Sequence, residues 1–499
     1  MKIKFLILAA LGILLLGLFL RLINLNILPV FADESIYIRW SQVMKAESTL
    51  RFLPLSDGKQ PLFMWLVIPL LKFIADPLIA GRLVSVLAGL GTMLGVSAAT
   101  FLIFKNRKAA LTSGLIWAVL PYSVFFDRMA LADGLLAMFV IWTFVFSYLS
   151  FQLLRWDFSM LAGFSLGFAW LTKSPAVFSF VLIPTLFLLV DSIRSNFKNR
   201  ILVYLSLIIT TYIIAFAMYN VLRLGPEFHM IGIRNKDYIH PLSQVLSHPL
   251  DPLTSHLRDA FDFLIRLTTP VGFGLILLGL YEGGRKHLWP RLVLASWWLG
   301  PILAQAFIAK TFTARYIFFT IPFAVILMSH GIWHFGDRTN KHFLSLAVII
   351  LFTISSLGFD YFLLFSPQNA PLPRIERSGY LEEWTAGQGI KEVSEIITAQ
   401  SAGGPVVVGS EGYFGTPFSA LEMYFNSYSQ IRVVGIGTGI QYPDAKLVSA
   451  TKDNQVFVVA NSTRINGDPE KLGYEVVKAY PKEARPDGSR EFLLFMKLK

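Results

Sequence analysis

The chain has no cysteine among its 499 residues. Disulfides, thiolate metal sites and cysteine nucleophiles are therefore excluded. Charge is also scarce: Asp, Glu, Lys and Arg make up 15% of the chain, whereas soluble domains carry about one quarter. In its place stands a hydrophobic content of 54%, gathered into long runs over most of the length. That pattern defines a polytopic α-helical membrane protein. The net charge of +12 resembles that of a nucleic-acid binder. Much of it lies in short loops between apolar runs, however, where membrane orientation accounts for it and no nucleic-acid partner is implied.

The apolar runs predict about eleven spans, at 5–28, 78–104, 109–126, 134–154, 160–172, 175–190, 201–222, 263–281, 292–309, 316–333 and 343–365. Pro61 to Ile74 is short for a span and reads as re-entrant or interfacial. Val30-Phe31-Ala32 resembles a signal-peptide cleavage site. The preceding run is too long for a signal peptide, and Pro29 intervenes, so the first helix is expected to stay uncleaved. With the N-terminus in the cytoplasm, the basic loops Lys105 to Lys108, Arg155, Arg194 to Arg200, Arg285 to Arg291 and Arg338 to Lys341 fall on the cytoplasmic side. The opposite face then receives Asp33/Glu34, Lys59, Arg128/Asp133, Lys173, the 223–262 loop and Lys310 to Arg315.

Acidic groups at a membrane edge are costly and mark function; a solvated loop is the plainer reading of Asp33-Glu34. Lys59, between Gly58 and Pro61, is either a snorkelling anchor or a ligand contact. Arg128 and Asp133 are five residues apart, a spacing that does not face them directly on a helix, and Asp133 could cap the helix that follows. Thr172-Lys173-Ser174-Pro175 is a tight reversal that offers a lysine and first-turn amides to an anion. Arg315 opens another span on the same face and suits bidentate phosphate contact.

Taken in order, Asp33-Glu34, Lys59-x-Pro61-Leu62, Arg128-x-x-x-x-Asp133, Thr172-Lys173-x-Pro175 and Arg315-Tyr316 resemble the GT-C membrane glycosyltransferases. The closest likeness is to the dolichyl-phosphate-mannose protein mannosyltransferase and aminoarabinose transferase group. The resemblance covers roughly residues 1–365; Ser174 stands where many relatives carry glycine. It implies transfer of a monosaccharide from a polyprenyl-phosphate donor to an acceptor hydroxyl outside the membrane. The acceptor would be a protein, a glycolipid or a polysaccharide precursor. Asp33 would be the general base, Glu34 would orient the acceptor or tune Asp33, and Asp133 would complete the acidic side or pair with Arg128. Lys59, Lys173 and Arg315 would meet the donor phosphate, with Tyr37, Arg128 and Tyr316 in support. Inversion is expected, and no cofactor. A divalent cation held by Asp33, Glu34 and Asp133 is the alternative. His229, His240, His248 and His256 lack the spacing of a helical zinc motif.

Ser366 to Pro373 reads as a linker, dividing a transferase domain (1–366) from a soluble extracytoplasmic α/β domain (367–499). Strands are expected near 405–409, 431–435, 455–460 and 491–497, and a helix at 390–399. Gly409-Ser410-Glu411-Gly412 is either a ligand loop or a turn, and Gly435 to Gly439 departs from G-x-G-x-x-G. Asn461-Ser462-Thr463 matches a glycosylation sequon, which often arises by chance. Acceptor binding is the expected role of this domain. The competing classes are a transporter or flippase of lipid-linked sugars, which would place its charges near the midplane and show repeat symmetry, and a receptor or scaffold.

Overall fold

The computed structural model describes residues 3–499, without the side chains of Ile3 and of residues 191–199. The chain divides into two compact units. One comprises Met1–Leu25, Arg51–Phe63 and Arg82–Pro373; the other comprises Asn26–Leu50, Met64–Gly81 and Arg374–Lys499.

The first unit is helical. Among the described residues, seven helices are long and apolar enough to cross a membrane: Lys4–Leu22, Pro77–Phe104, Ala132–Leu153, Arg200–Leu224, Leu288–Ile308, Ala314–Thr339 and His342–Phe365. A bent pair, Leu253–Leu267 and Thr269–Tyr281, raises the count to eight if it is one span. These seven or eight candidate spans stand beside the eleven expected from the apolar runs. Apolar helices occupy the other expected positions, but local chemistry keeps them short or broken. Pro121 interrupts Arg107–Val119 and Pro121–Phe126, because proline lacks the donor and clashes with the preceding turn. Helix Trp156–Thr172 has 17 residues. Pro184 lies where Val177–Leu182 gives way to the 3-10 stretch Ile183–Leu189. A bend of 109° at Thr268 divides the expected 263–281 span.

Helices in this unit approach closely where glycine allows it. Thr269–Tyr281 packs on Ile321–Thr339, and a Cβ on Gly331 would lie 2.6 Å from the Cα of Gly279. The 223–262 segment, expected as a loop, is largely helical (Met230–Tyr238, Leu242–Ser247 and the start of Leu253–Leu267). Its breaks fall at Pro241, Pro249 and Pro252.

The second unit holds helix Ala32–Ala46 and seven strands: β1 (Val30–Phe31), β2 (Ala386–Gly387), β3 (Val406–Ser410), β4 (Ile431–Gly435), β5 (Gln455–Asn461), β6 (Tyr474–Pro481) and β7 (Phe492–Leu498). β1 and β2 pair antiparallel. The other five form a mixed sheet in the order β4-β3-β5-β7-β6. β3 is parallel to both β4 and β5, and β7 is antiparallel to β5 and β6. Val407, Val456, Val458, Met496 and Leu498 pack with Leu447 and Tyr474 on one face. β6 was absent from the sequence reading. It is an edge strand whose residues are mostly exposed, so it lacks the apolar alternation that betrays a half-buried strand.

Candidate active site

Three of the expected cations lie in one neighbourhood of the first unit. Gly58, at φ 67°, ends the turn Leu53–Asp57 and leads into Lys59. The Lys59 ammonium donates to the Tyr238 hydroxyl at 2.6 Å and lies 4.3 Å from that ring's centroid. The next residue, Gln60, donates to Ser174 Oγ at 2.8 Å, so the lysine-bearing segments at 59 and 173 touch. Lys173 donates to Asp133 Oδ1 at 2.5 Å. Its ammonium also lies 4.7 Å from the Tyr316 ring centroid, and the Arg315 guanidinium lies 5.3 Å from the same ring. Tyr316 thus links two of the cations. Tyr238 is pinned nearby: Lys310 N donates to its carbonyl at 2.8 Å, and Ile239 bridges Ala309.

Asp133 stands in the first turn of Ala132–Leu153, where a carboxylate is favoured by the helix dipole. Its side chain is 4% exposed and paired with Lys173, not with Arg128, the pairing the resemblance gave as an alternative. Arg128 is engaged elsewhere. It donates to the carbonyls of Leu20, Arg21, Ile23 and Asn24 at 2.7–3.0 Å, so it caps the C-terminus of helix Ile3–Leu22. Arg21 and Asp127 pair beside it at 2.8 Å, both fully buried. Leu25 O accepts from Arg82 at 2.7 Å. Asp360 adds a buried carboxyl with neither oxygen hydrogen-bonded. A buried charge needs a partner of opposite sign, and Asp127 supplies it for Arg21.

The Asp33-Glu34 pair belongs to the second unit. Both residues sit in the first turn of Ala32–Ala46. Asp33 is half-buried. Glu34 is fully buried, and its Oε2 accepts from Phe31 N at 3.0 Å, closing the helix start. Tyr37 is buried with its ring 6.0 Å from Trp40.

Sequence reasoning missed Gln60, Tyr238 and the Asp57–Arg234 pair at 2.6 Å. Tyr238 lies 179 residues from Lys59, too far for any spacing rule, and its one signal was an aromatic in a long segment of the expected outer face. Of the four histidines named from the sequence, His256 Nδ1 meets Ala306 O at 3.0 Å and His240 meets Gln244. Among the described residues no group of three His, Asp or Glu side chains is arranged to hold a metal. In the sheet domain, Asn461 is 1% exposed and Nδ2 donates to Glu411. The sequon is therefore a chance match.

Residues 58–219 match the family model described as dolichyl-phosphate-mannose-protein mannosyltransferase. That segment contains Lys59, Asp133 and Lys173. No curated protein matches the chain. Two crystal structures of ArnT from Cupriavidus metallidurans share its fold. The apo structure is 14% identical with a TM-score of 0.59, over 98% of this chain and 97% of that one. The structure bound to undecaprenyl phosphate is 13% identical with a TM-score of 0.58, over 99% and 98%. The archaeal oligosaccharyltransferase AglB from Archaeoglobus fulgidus, in complex with an inhibitory peptide and a dolichol-phosphate, is 11% identical with a TM-score of 0.50, over 98% of this chain and 74% of that one.

Proposed function

We propose that this chain, a membrane glycosyltransferase of GT-C fold, transfers one sugar from a polyprenyl-phosphate donor to an acceptor hydroxyl at the outer face of the cell membrane. The observation that carries the reading is the gathering of Lys59, Lys173 and Arg315 around Tyr238 and Tyr316. A departing lipid phosphate needs positive charge aimed at its oxygens. The undecaprenyl phosphate and dolichol-phosphate in the ArnT and AglB structures favour a donor of the same chemistry.

In this reading the Asp33 carboxylate takes the proton of the acceptor hydroxyl, a poor nucleophile at neutral pH. The acceptor oxygen bonds to the anomeric carbon as the bond from that carbon to the phosphate oxygen breaks. The electron pair leaves with polyprenyl phosphate, and the configuration inverts. Asp133 holds Lys173 in place until the phosphate draws it. Glu34 fixes the turn that presents Asp33. With an odd number of spans, the basic loops favour an N-terminus in the cytoplasm and a domain after residue 366 outside.

Labelled polyprenyl-phosphate monosaccharides, offered to the purified chain in lipid, test this reading. Release or transfer of sugar from one donor is expected. A donor that crosses the bilayer unchanged would instead identify a flippase.

A further inference from the structure

The sheet domain carries a second set of side chains that the transfer chemistry does not use. From β3 the chain passes through Phe418–Phe425 to β4 on one side, then through Ala445–Ala450 to β5 on the other side of β3. The carboxyl end of β3 is therefore the point where the winding of the parallel strands reverses. Open α/β sheets bind ligands in the crevice outside such a point.

What lies there is aromatic and exposed. Tyr413 and Phe414, directly after β3, are 66% and 48% exposed. The Tyr413 ring lies on Gly435 at the end of β4, where a Cβ would collide with it. Trp384, 36% exposed, borders the same loop: Thr416 donates to its carbonyl at 2.8 Å. The Arg464 guanidinium, from the loop after β5, sits 5.4 Å from the Trp384 ring. Arg464 Nε is buried without a hydrogen-bond partner. Glu411, at the floor, accepts from the backbone and side chain of Asn461.

The crevice adjoins the helix that bears Asp33. Phe414 lies 5.7 Å from Trp40 of that helix. A Cβ on Gly415 would stand 3.8 Å from Ala32 Cβ, and Ala32 N donates to Thr385 O at 3.0 Å. Exposed aromatic faces beside a guanidinium with an unused donor match a pyranose, which offers C–H faces to rings and hydroxyls to charged groups. We infer that Trp384, Tyr413, Phe414 and Arg464 form a saccharide subsite that receives the glycan part of the acceptor. This rests on the reading of Asp33 as the base for an acceptor hydroxyl. The nearness of the crevice to Ala32 then presents the sugar to the residue beside it.

The test is saturation-transfer NMR on the full chain in lipid nanodiscs, with methyl glycosides of mannose, glucose and galactose and a blocked serine-containing tripeptide as probes. Wild-type protein is expected to transfer saturation to at least one glycoside and not to the peptide. Tyr413→Ala and Arg464→Gln should each weaken that signal at least tenfold. Tyr428→Ala, exposed in the turn between Phe418–Phe425 and β4, should leave it intact. Tyr413 is largely exposed, so a cooperative melt unchanged from wild type is expected of its variant. Binding of no glycoside, binding unaffected by both substitutions, or binding of the peptide alone would overturn the inference. A wild-type chain that binds glycoside through Tyr413 yet consumes no polyprenyl-phosphate donor would retain this site and remove the transferase reading.

Discussion

Lys173 is held between a carboxylate and a ring, and its two contacts define what its loss should do. Asp133 is nearly buried, so removing its partner leaves an uncompensated charge. Lys173→Met should lower kcat by roughly 10²–10³, the scale of losing one charged donor to a developing anion. Asp133→Asn should cost less, and the double variant should cost no more than Lys173→Met alone, since both changes break one pair. Additive losses in steady-state kinetics would separate the two roles. Glu411 offers a second test. Burial pushes its carboxyl up to about 7 from an ordinary 4.5. The folded chain therefore holds more protons than the unfolded chain between those values, and stability falls as pH rises through that window. The shift corresponds to roughly 3 kcal/mol, with the penalty complete above pH 7. Lys482 acts in the opposite sense. Burial lowers it to about 8 from 10.5, so its penalty is complete below pH 8 and eases as pH rises to 10.5. Melting of the full chain should therefore fall between pH 5 and 7, and Glu411→Gln should flatten that fall. An unchanged slope in the variant would assign it to other groups.

Elements show which features the sequence could carry. The apolar runs revealed nearly every helix of the first unit, because lipid and core both demand apolar faces. They did not reveal which helices were long enough to span, because Pro121, Pro184 and the turn at Thr268 act on backbone geometry and leave hydropathy unchanged. β6 stayed hidden because an exposed edge strand has no buried face to mark it. The ordered motifs pointed to Lys59, Lys173 and Arg315, yet the Lys173–Asp133 pair spans 40 residues and emerges only on folding. Two substitutions test the elements themselves. Glu34→Ala removes the carboxylate that accepts from Phe31 N and should cost about 1–2 kcal/mol of stability. Gly331→Val forces a side chain into the Gly279 backbone and should separate Thr269–Tyr281 from Ile321–Thr339, seen as a lower melting temperature and faster proteolysis. A wild-type melt in the valine variant would mean that the crossing is looser than described.

For the whole molecule, the absence of cysteine makes topology directly measurable. Single cysteines placed at Asn106 and at Asp487 should react oppositely with a membrane-impermeant maleimide on intact cells. Position 487 should label at once, and position 106 only after permeabilisation. Labelling of both from one side would invert or break the proposed orientation. The reading also calls for no metal, since lysine and arginine supply the charge. Turnover should survive EDTA, and a loss restored by added Mg²⁺ or Mn²⁺ would recast Asp133 and its neighbours as ligands.

The central claim is that Asp33 accepts the proton of an acceptor hydroxyl as sugar leaves a lipid phosphate. It is tested most directly by single-turnover sugar transfer from a labelled polyprenyl-phosphate donor, comparing wild type with Asp33→Asn at equal donor occupancy. The account predicts transfer by wild type and a rate at least 10²-fold lower in the variant, with donor affinity preserved. Transfer at the wild-type rate by Asp33→Asn would contradict it.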